Sequence, residues 1–176
     1  MNNFFKELNF NSIKKLIIKF DPKIKIENIN LNNNLKYRNQ LIYNSNNLKI
    51  YNDSKCTNLN NAIYKNSLIN SSKKILILGG RLKKQDSKCK FNITNTLVLF
   101  FGYDSNSFLN HLNFINSNYL KFNHLKNLTD FIKLILLSNN SFNYILFSPG
   151  GESYDSYRDY LDRGNHFNDL IKKVLL

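Results

Sequence analysis

Three short stretches of this chain place carboxylates, hydroxyls and lysines directly after apolar runs, where an α/β sheet usually binds its ligand. In the first, Leu48 and Ile50 lead into Asn52-Asp53-Ser54-Lys55-Cys56-Thr57-Asn58. A carboxylate, an ammonium and two hydroxyls this close together can meet a charged ligand. They can equally start a helix, with Asp53 or Ser54 as its N-cap and Lys55 in solvent. In the second, Ile75-Leu76-Ile77-Leu78 ends at Gly79-Gly80 and is followed by Lys83 and Lys84. A strand ending in glycines is a common turn, and by chemistry alone Lys83 is a surface lysine. In the third, Tyr144-Ile145-Leu146-Phe147 stops at Ser148-Pro149-Gly150-Gly151 and gives way to a segment running from Ser153 to Gly164. Proline cannot continue a ladder and glycine allows close backbone approach, so Ser153 is expected at a helix N-terminus, where an anion is favoured. The bland alternative is a cap followed by aromatic packing, with Tyr154, Tyr157 and Leu161 sharing a face.

The elements that position these stretches can be read from periodicity. Leu48 and Ile50 suggest a strand, and Leu59, Ala62 and Ile63 begin a helix. Ile75–Leu78, Leu97–Phe101 and Tyr144–Phe147 read as buried strands. Phe108, Leu112 and Ile115 predict a helix between Ser105 and Asn118. Leu128, Phe131, Ile132, Ile135 and Leu136 form a helical stripe, and Phe167, Leu170, Ile171 and Val174 line a last helix. Alternation of this kind predicts a Rossmann-like α/β fold with a mostly parallel sheet covered by helices on both faces. Upstream, Ile13, Leu16, Ile17 and Phe20 predict a short helical extension that stops near Asp21-Pro22, and the asparagine-rich stretch from Lys23 to Asn34 reads as a linker, with Ile24 and Ile26 as a possible short strand. The expected division is therefore 1–34, extension and linker, and 35–176, the domain proper.

The third stretch resembles a C-terminal signature of the MurD-type Mur ligases, which add D-glutamate to UDP-N-acetylmuramoyl-L-alanine. That signature reads Leu-Ser-Pro-Ala-x-x-Ser-x-Asp-x-Phe, then Phe-x-x-Arg-Gly-x-x-Phe. Here Ser148, Pro149, Ser153, Asp155, Tyr157, Tyr160, Arg163, Gly164 and Phe167 stand at matching spacing. Asn52–Asn58 is similar to the family's Asn-Asp-Ser-Lys-Ala-Thr-Asn, and Ile75–Lys83 to its strand, double glycine and lysine. Leu35-Lys36-Tyr37-Arg38 occupies the place of its Leu-Pro-His-Arg, with only the arginine clearly kept. The likeness runs from about Leu35 to the C-terminus.

The resemblance implies roles. Thr57, Lys83, Ser153, Tyr154 and Tyr160 would bind D-glutamate, with Lys84 the alternative if the loop is shifted by one. Arg38, Asp53 and Lys55 would face the nucleotide. Lys83 and Ser153 would then lie across one cleft, Thr57 and Tyr160 on its walls, and Asp53 and Lys55 at the rim. ATP and Mg2+ would serve the complete enzyme, and this chain alone would hold neither. The partners implied are D-glutamate and the domains, or a second chain, that carry the UDP-sugar and ATP sites.

Composition bounds the rest. A length of 176 residues suits one domain with a short extension. No Gly-x-x-x-x-Gly-Lys-Ser/Thr cradle occurs, so by itself the chain is expected not to catalyse the ligation. The expectation is a shortened or split ligase chain. A formal charge of +13 invites a basic, RNA-binding module as an alternative. Against it, the lysines are scattered, and the single alanine, Ala62, beside abundant Lys, Asn and Ile points to AT-biased codons. A non-catalytic degenerate remnant of the ligase is the other alternative, because Tyr37 stands where the family has histidine. Cys56 and Cys89 lack metal spacing, and His111, His124 and His166 fall outside the motifs. No apolar run approaches a membrane span and no signal peptide opens the chain, so a cytoplasmic location without membrane or metal is expected.

Overall fold

In the computed structural model, residues 36–83, 90–138 and 142–176 are described. The helical extension and linker expected over residues 1–34, together with Lys84 and Cys89, lie outside them.

The apolar run after Lys73 becomes strand β3 (Lys74–Gly79), whose six residues are all buried. A strand buried on both faces belongs in the middle of a parallel sheet. It pairs in parallel with β8 (Tyr144–Gly150) on one side and with β5 (Thr96–Phe101) on the other. Beyond these lie β2 (Lys49–Asn52) and β7 (Asn118–Phe122), both parallel to their neighbours, and β1 (Gln40–Asn44) closes one edge antiparallel to β2. The order is β1-β2-β8-β3-β5-β7. Successive side chains alternate between faces. Ile75, Ile77, Leu99, Phe101, Ile145 and Phe147 pack with α3 (Leu125–Leu137) and α4 (Tyr160–Leu175). Leu76, Leu78, Val98, Phe100 and Leu146 pack beneath α1 (Leu59–Ser67), α2 (Ser105–Leu109) and a two-stranded parallel ribbon of β4 (Phe91–Thr94) and β6 (Leu112–Ile115). The mostly parallel, double-covered α/β sheet expected from the sequence is present.

Four local expectations need correction. The helix expected between Ser105 and Asn118 ends at Leu109, and the chain continues as β6 and β7. Leu112 and Ile115 fit a helical spacing, but Asn110 and Asn116 interrupt it, and Asn116 takes the left-handed φ of 48° that turns β6 into β7. The N-cap of α1 is neither Asp53 nor Ser54 but Asn58, whose side chain accepts from the Asn61 amide at 3.0 Å. Pro149 does not end β8, which reaches Gly150 by slipping register between the pairs Ile77↔Phe147 and Gly79↔Gly150. One extra residue is absorbed there. Finally, Ser153 does not stand at a helix N-terminus: α4 starts at Tyr160, capped by Asp159, whose carboxylate accepts from the Asp162 amide at 2.8 Å.

Because the central strands run parallel, the loops after β2, β3 and β8 emerge at a single edge of the sheet.

Candidate functional site

The loop after β2 is fastened from below. The Asn52 side chain accepts from the Ser54 amide at 3.0 Å and donates to the Gly164 carbonyl at 3.0 Å and to Asn168 Oδ1 at 2.8 Å, which sets β2 against α4. Asp53 follows, only 1% exposed. Its carboxylate accepts from Lys65 Nζ at 2.6 Å, Ser148 Oγ at 2.8 Å and the Asn39 amide at 2.9 Å. The rim position expected for Asp53 is therefore not where it stands. Burial without partners would be costly for a carboxylate, and these donors satisfy it. Lys55 is half-buried, with Nζ 3.9 Å from the centroid of the Tyr160 ring, a cation–π contact. The Cys56 carbonyl accepts from the Gly150 amide at 3.0 Å, so half-buried Thr57 lies beside the end of β8. The Cys56 thiol is buried, and burial pushes its pKa up, which makes it a poor nucleophile.

The loops after β3 and β8 are joined directly. Arg81 N–H donates to the Glu152 carbonyl at 2.9 Å, and Glu152 N–H returns the bond to the Arg81 carbonyl at 2.8 Å. This contact requires glycine at position 80, where φ is +88° and a Cβ would lie 2.2 Å from the Glu152 carbonyl oxygen. Lys83 Nζ lies 3.9 Å from Glu152 Oε1, with both side chains more than a third exposed (36% and 38%). Ser153 is 3% exposed; its carbonyl accepts from the Tyr157 amide at 2.9 Å, and its hydroxyl makes no hydrogen bond with the described residues. Tyr154 points out, 74% exposed. Tyr160 opens α4, and its carbonyl accepts from Ser54 Oγ at 2.8 Å. The structure thus brings Lys55, Thr57, Lys83, Ser153 and Tyr160 to one edge on neighbouring loops.

Arg38 approaches the same assembly from the lead-in segment. It is exposed, between Tyr37 and Asn39, whose φ angles of 63° and 50° are both left-handed. The segment is clamped: Lys55 N–H donates to the Tyr37 carbonyl at 3.0 Å, and the Tyr37 hydroxyl bonds Asn165 Oδ1. The Tyr37 ring lies where Gly164 leaves room for it, since a Cβ on Gly164 would sit 2.3 Å from Tyr37 Cδ2.

The residue that sequence reasoning left without a role is Arg163. It is fully buried at 0% exposure. Its Nε donates to Ser54 Oγ at 3.1 Å, its Nη2 to the Ser54 carbonyl at 2.7 Å and its Nη1 to the Gly151 carbonyl at 2.9 Å. Burial pushes its pKa down to about 10, opposed by the nearby Asp155, Tyr157 and Cys56. The available signal was its rarity, one of four arginines, at a position that falls on the apolar side of the last helix beside Phe167.

A cavity of about 390 Å³ opens at this edge, lined by Gly102, His124, Lys126, Ser156, Tyr157 and His166. Its wall includes the Tyr157 hydroxyl, 2.9 Å from His166 Nδ1. Larger cavities of about 480 and 680 Å³ lie away from it, lined in part by Asn70, Ser71 and Asn143, before the starts of β3 and β8. None of these three cavities is lined by an expected ligand-binding residue. Among the described residues no cluster of three or more His, Cys, Asp and Glu side chains could hold a metal ion, and no helix is long and apolar enough to cross a membrane.

Comparison with known proteins adds relatives of one name. No family model matches the chain. A UDP-N-acetylmuramoylalanine–D-glutamate ligase of Prochlorococcus marinus strain MIT 9312 is 36% identical over 158 residues, covering 80% of this chain and 31% of the relative. That of Petrotoga mobilis is 30% identical over 173 residues, 97% of this chain and 39% of the relative. That of Fervidobacterium nodosum is 32% identical over 135 residues, 71% of this chain and 30% of the relative. The chain thus spans between 30% and 39% of the length of these relatives.

Proposed function

The chain belongs to the family of UDP-N-acetylmuramoylalanine–D-glutamate ligases, and from that membership we propose that residues 35–176 are the family's C-terminal domain, which holds D-glutamate for amide formation. The observation that carries the proposal is the backbone pairing of Arg81 with Glu152, which seats the Lys83 loop against Ser153 at the ligand-binding edge of the sheet. Lys83 supplies a cation for one carboxylate of D-glutamate, and Ser153, a buried residue, a hydroxyl that none of the described residues bonds, beside the exposed Tyr154. Thr57 and Tyr160 wall the site. The Lys83–Glu152 pair is long and partly exposed, worth at most about 1 kcal/mol, so it yields readily to a substrate carboxylate.

In the complete ligase, ATP would transfer its γ-phosphoryl group to the alanyl carboxylate and leave as ADP, Mg2+ offsetting the phosphate charge, to give an acyl phosphate. The D-glutamate amine attacks that carbonyl, an amide forms, and phosphate leaves. The residues of this domain contribute orientation and charge, with no covalent step of their own. Arg38 and Lys55 meet the nucleotide side, and Asp53 serves it from inside by holding Asn39 next to Arg38. The UDP-sugar and ATP sites come from the remainder of the ligase. A degenerate remnant is the second reading. Tyr37 counts less for it than its sequence position suggested, because its ring and hydroxyl are built into the packing on α4.

The test is D-glutamate titration of the 176-residue chain followed by heteronuclear NMR. Saturable shifts at Lys83, Ser153 and Thr57 are expected, and Lys83→Ala should weaken binding tenfold or more with the spectrum otherwise intact, consistent with loss of about 1.5–3 kcal/mol of charge-assisted hydrogen bonding. Absence of binding, or equal binding by Lys83→Ala, refutes the site. A second experiment adds a polypeptide carrying the ATP and UDP-sugar domains. Amide formation is expected only in the mixture, and continued silence with a folded partner favours the remnant.

A further inference from the structure

We propose that Arg163 is the positioning residue of this site, its buried guanidinium fixing the relative places of the three loops that carry Thr57, Lys83 and Ser153. The ligand part of this inference rests on the D-glutamate reading; the loop part rests on geometry alone. Two of its nitrogens hold the Ser54 hydroxyl and carbonyl at 3.1 and 2.7 Å, and the third holds the Gly151 carbonyl at 2.9 Å. The third loop packs on the same group, since a Cβ on Gly80 would come within 2.8 Å of Nη1. One planar group therefore touches all three segments.

Anchoring α4 to the sheet does not require a cation, because Phe167, 0% exposed on the same helix, stacks on Phe147 at a centroid distance of 4.0 Å. A guanidinium buried among neutral acceptors is an expensive fastener, and among the described residues no carboxylate forms an ion pair with it. What it offers in return is direction. Its donors leave a rigid plane at fixed angles, so Ser54 and Gly151 cannot shift relative to each other while both bonds hold. An ammonium, a single point on a flexible stem, cannot reproduce this. Arg163 does not touch the substrate; it acts through the loops.

Amide hydrogen exchange and D-glutamate titration of the full chain test this with Arg163→Lys and Ser54→Ala. In Arg163→Lys the Ser54, Arg81, Glu152 and Tyr157 amides are expected to exchange at least tenfold faster together, while amides of β5 and α3 keep their wild-type rates. D-glutamate affinity of the folded protein should fall at least tenfold. A purely architectural role predicts something else: uniform acceleration across the chain and an unchanged affinity of the folded fraction. Wild-type exchange at the three loops, uniform acceleration, or undiminished D-glutamate affinity in Arg163→Lys overturns the proposal. Should Arg163→Lys not fold, Ser54→Ala decides, with faster exchange at Arg81 and Glu152 expected and unchanged rates fatal. Loops that loosen as expected in a protein whose wild-type form ignores D-glutamate leave the positioning role standing and remove the ligand reading.

Discussion

Gly164 shows how a single hydrogen atom in place of a side chain sets the sign of a substitution. It sits inside α4, where replacing glycine by alanine ordinarily stabilises by about 1 kcal/mol. Here the added methyl would lie 2.3 Å from the Tyr37 ring, and overpacking of that kind costs about 1–3 kcal/mol. Gly164→Ala is therefore expected to lower the thermal midpoint, and Tyr37→Ala combined with Gly164→Ala should reverse the sign of the glycine substitution; the four-member cycle by calorimetry checks this. At this scale the sequence was informative about which residues gather and less so about how. Lys83, Ser153, Thr57 and Tyr160 reach one edge because their loops follow parallel strands, which periodicity could predict. The burial of Asp53 could not be predicted, because its partners Asn39, Lys65 and Ser148 come from three different segments. Arg163 was hidden for a related reason: its acceptors lie on two other loops, and Ser54 is 109 residues away in sequence.

Helix and strand ends carry the next level of control. Asp159 caps α4 just before Tyr160, the residue whose ring meets Lys55 and whose carbonyl holds Ser54. Asp159→Ala is expected to cost about 0.5–2 kcal/mol in urea unfolding and to weaken D-glutamate binding by loosening the first turn. An unchanged urea midpoint would show that the turn is held by Ser54 and Arg158 instead. The elements that sequence periodicity identified were the buried ones, β3, β5, β8, α3 and the body of α4, where apolar runs are continuous or strongly periodic. It missed β1, β4, β6 and β7, which are short, asparagine-punctuated and largely exposed. None of the five β7 residues is buried: four are exposed and Phe122 is half-buried. Such strands are defined by pairing partners far away in sequence, and a local pattern does not contain them.

For the molecule as a whole, the formal charge of +13 and three phenols, Tyr37 buried and Tyr144 and Tyr157 half-buried, set the response to solvent. RNA association is expected to be weak and to vanish as salt rises through the physiological range, because the contacts would be unspecific phosphate contacts; selective binding that survives such salt would revive the RNA-binding alternative. Burial first of all raises the pKa values of Tyr37, Tyr144 and Tyr157, that of Tyr157 to about 12. A phenol whose folded pKa exceeds its unfolded value of about 10 lends stability that is complete below pH ~10 and is lost as pH rises toward the folded value. The chain should therefore lose stability between about pH 10 and pH 12, and Tyr157→Phe should flatten that decline; parallel slopes for the two proteins in urea unfolding would exclude the phenol as its source. The position of β8 has a further consequence, in the order of synthesis. This strand lies between β2 and β3, yet both of those leave the ribosome some 65 or more residues before it. Until Tyr144–Gly150 emerges, β2 and β3 each present an unpaired edge, and Ile75 and Ile77 lack their core neighbours Ile145 and Phe147. Cooperative folding must wait for nearly the whole domain, since central parallel pairings close long loops before they yield contacts. A nascent chain arrested just before Tyr144 should bind chaperones and aggregate, whereas one extended past α4 should not.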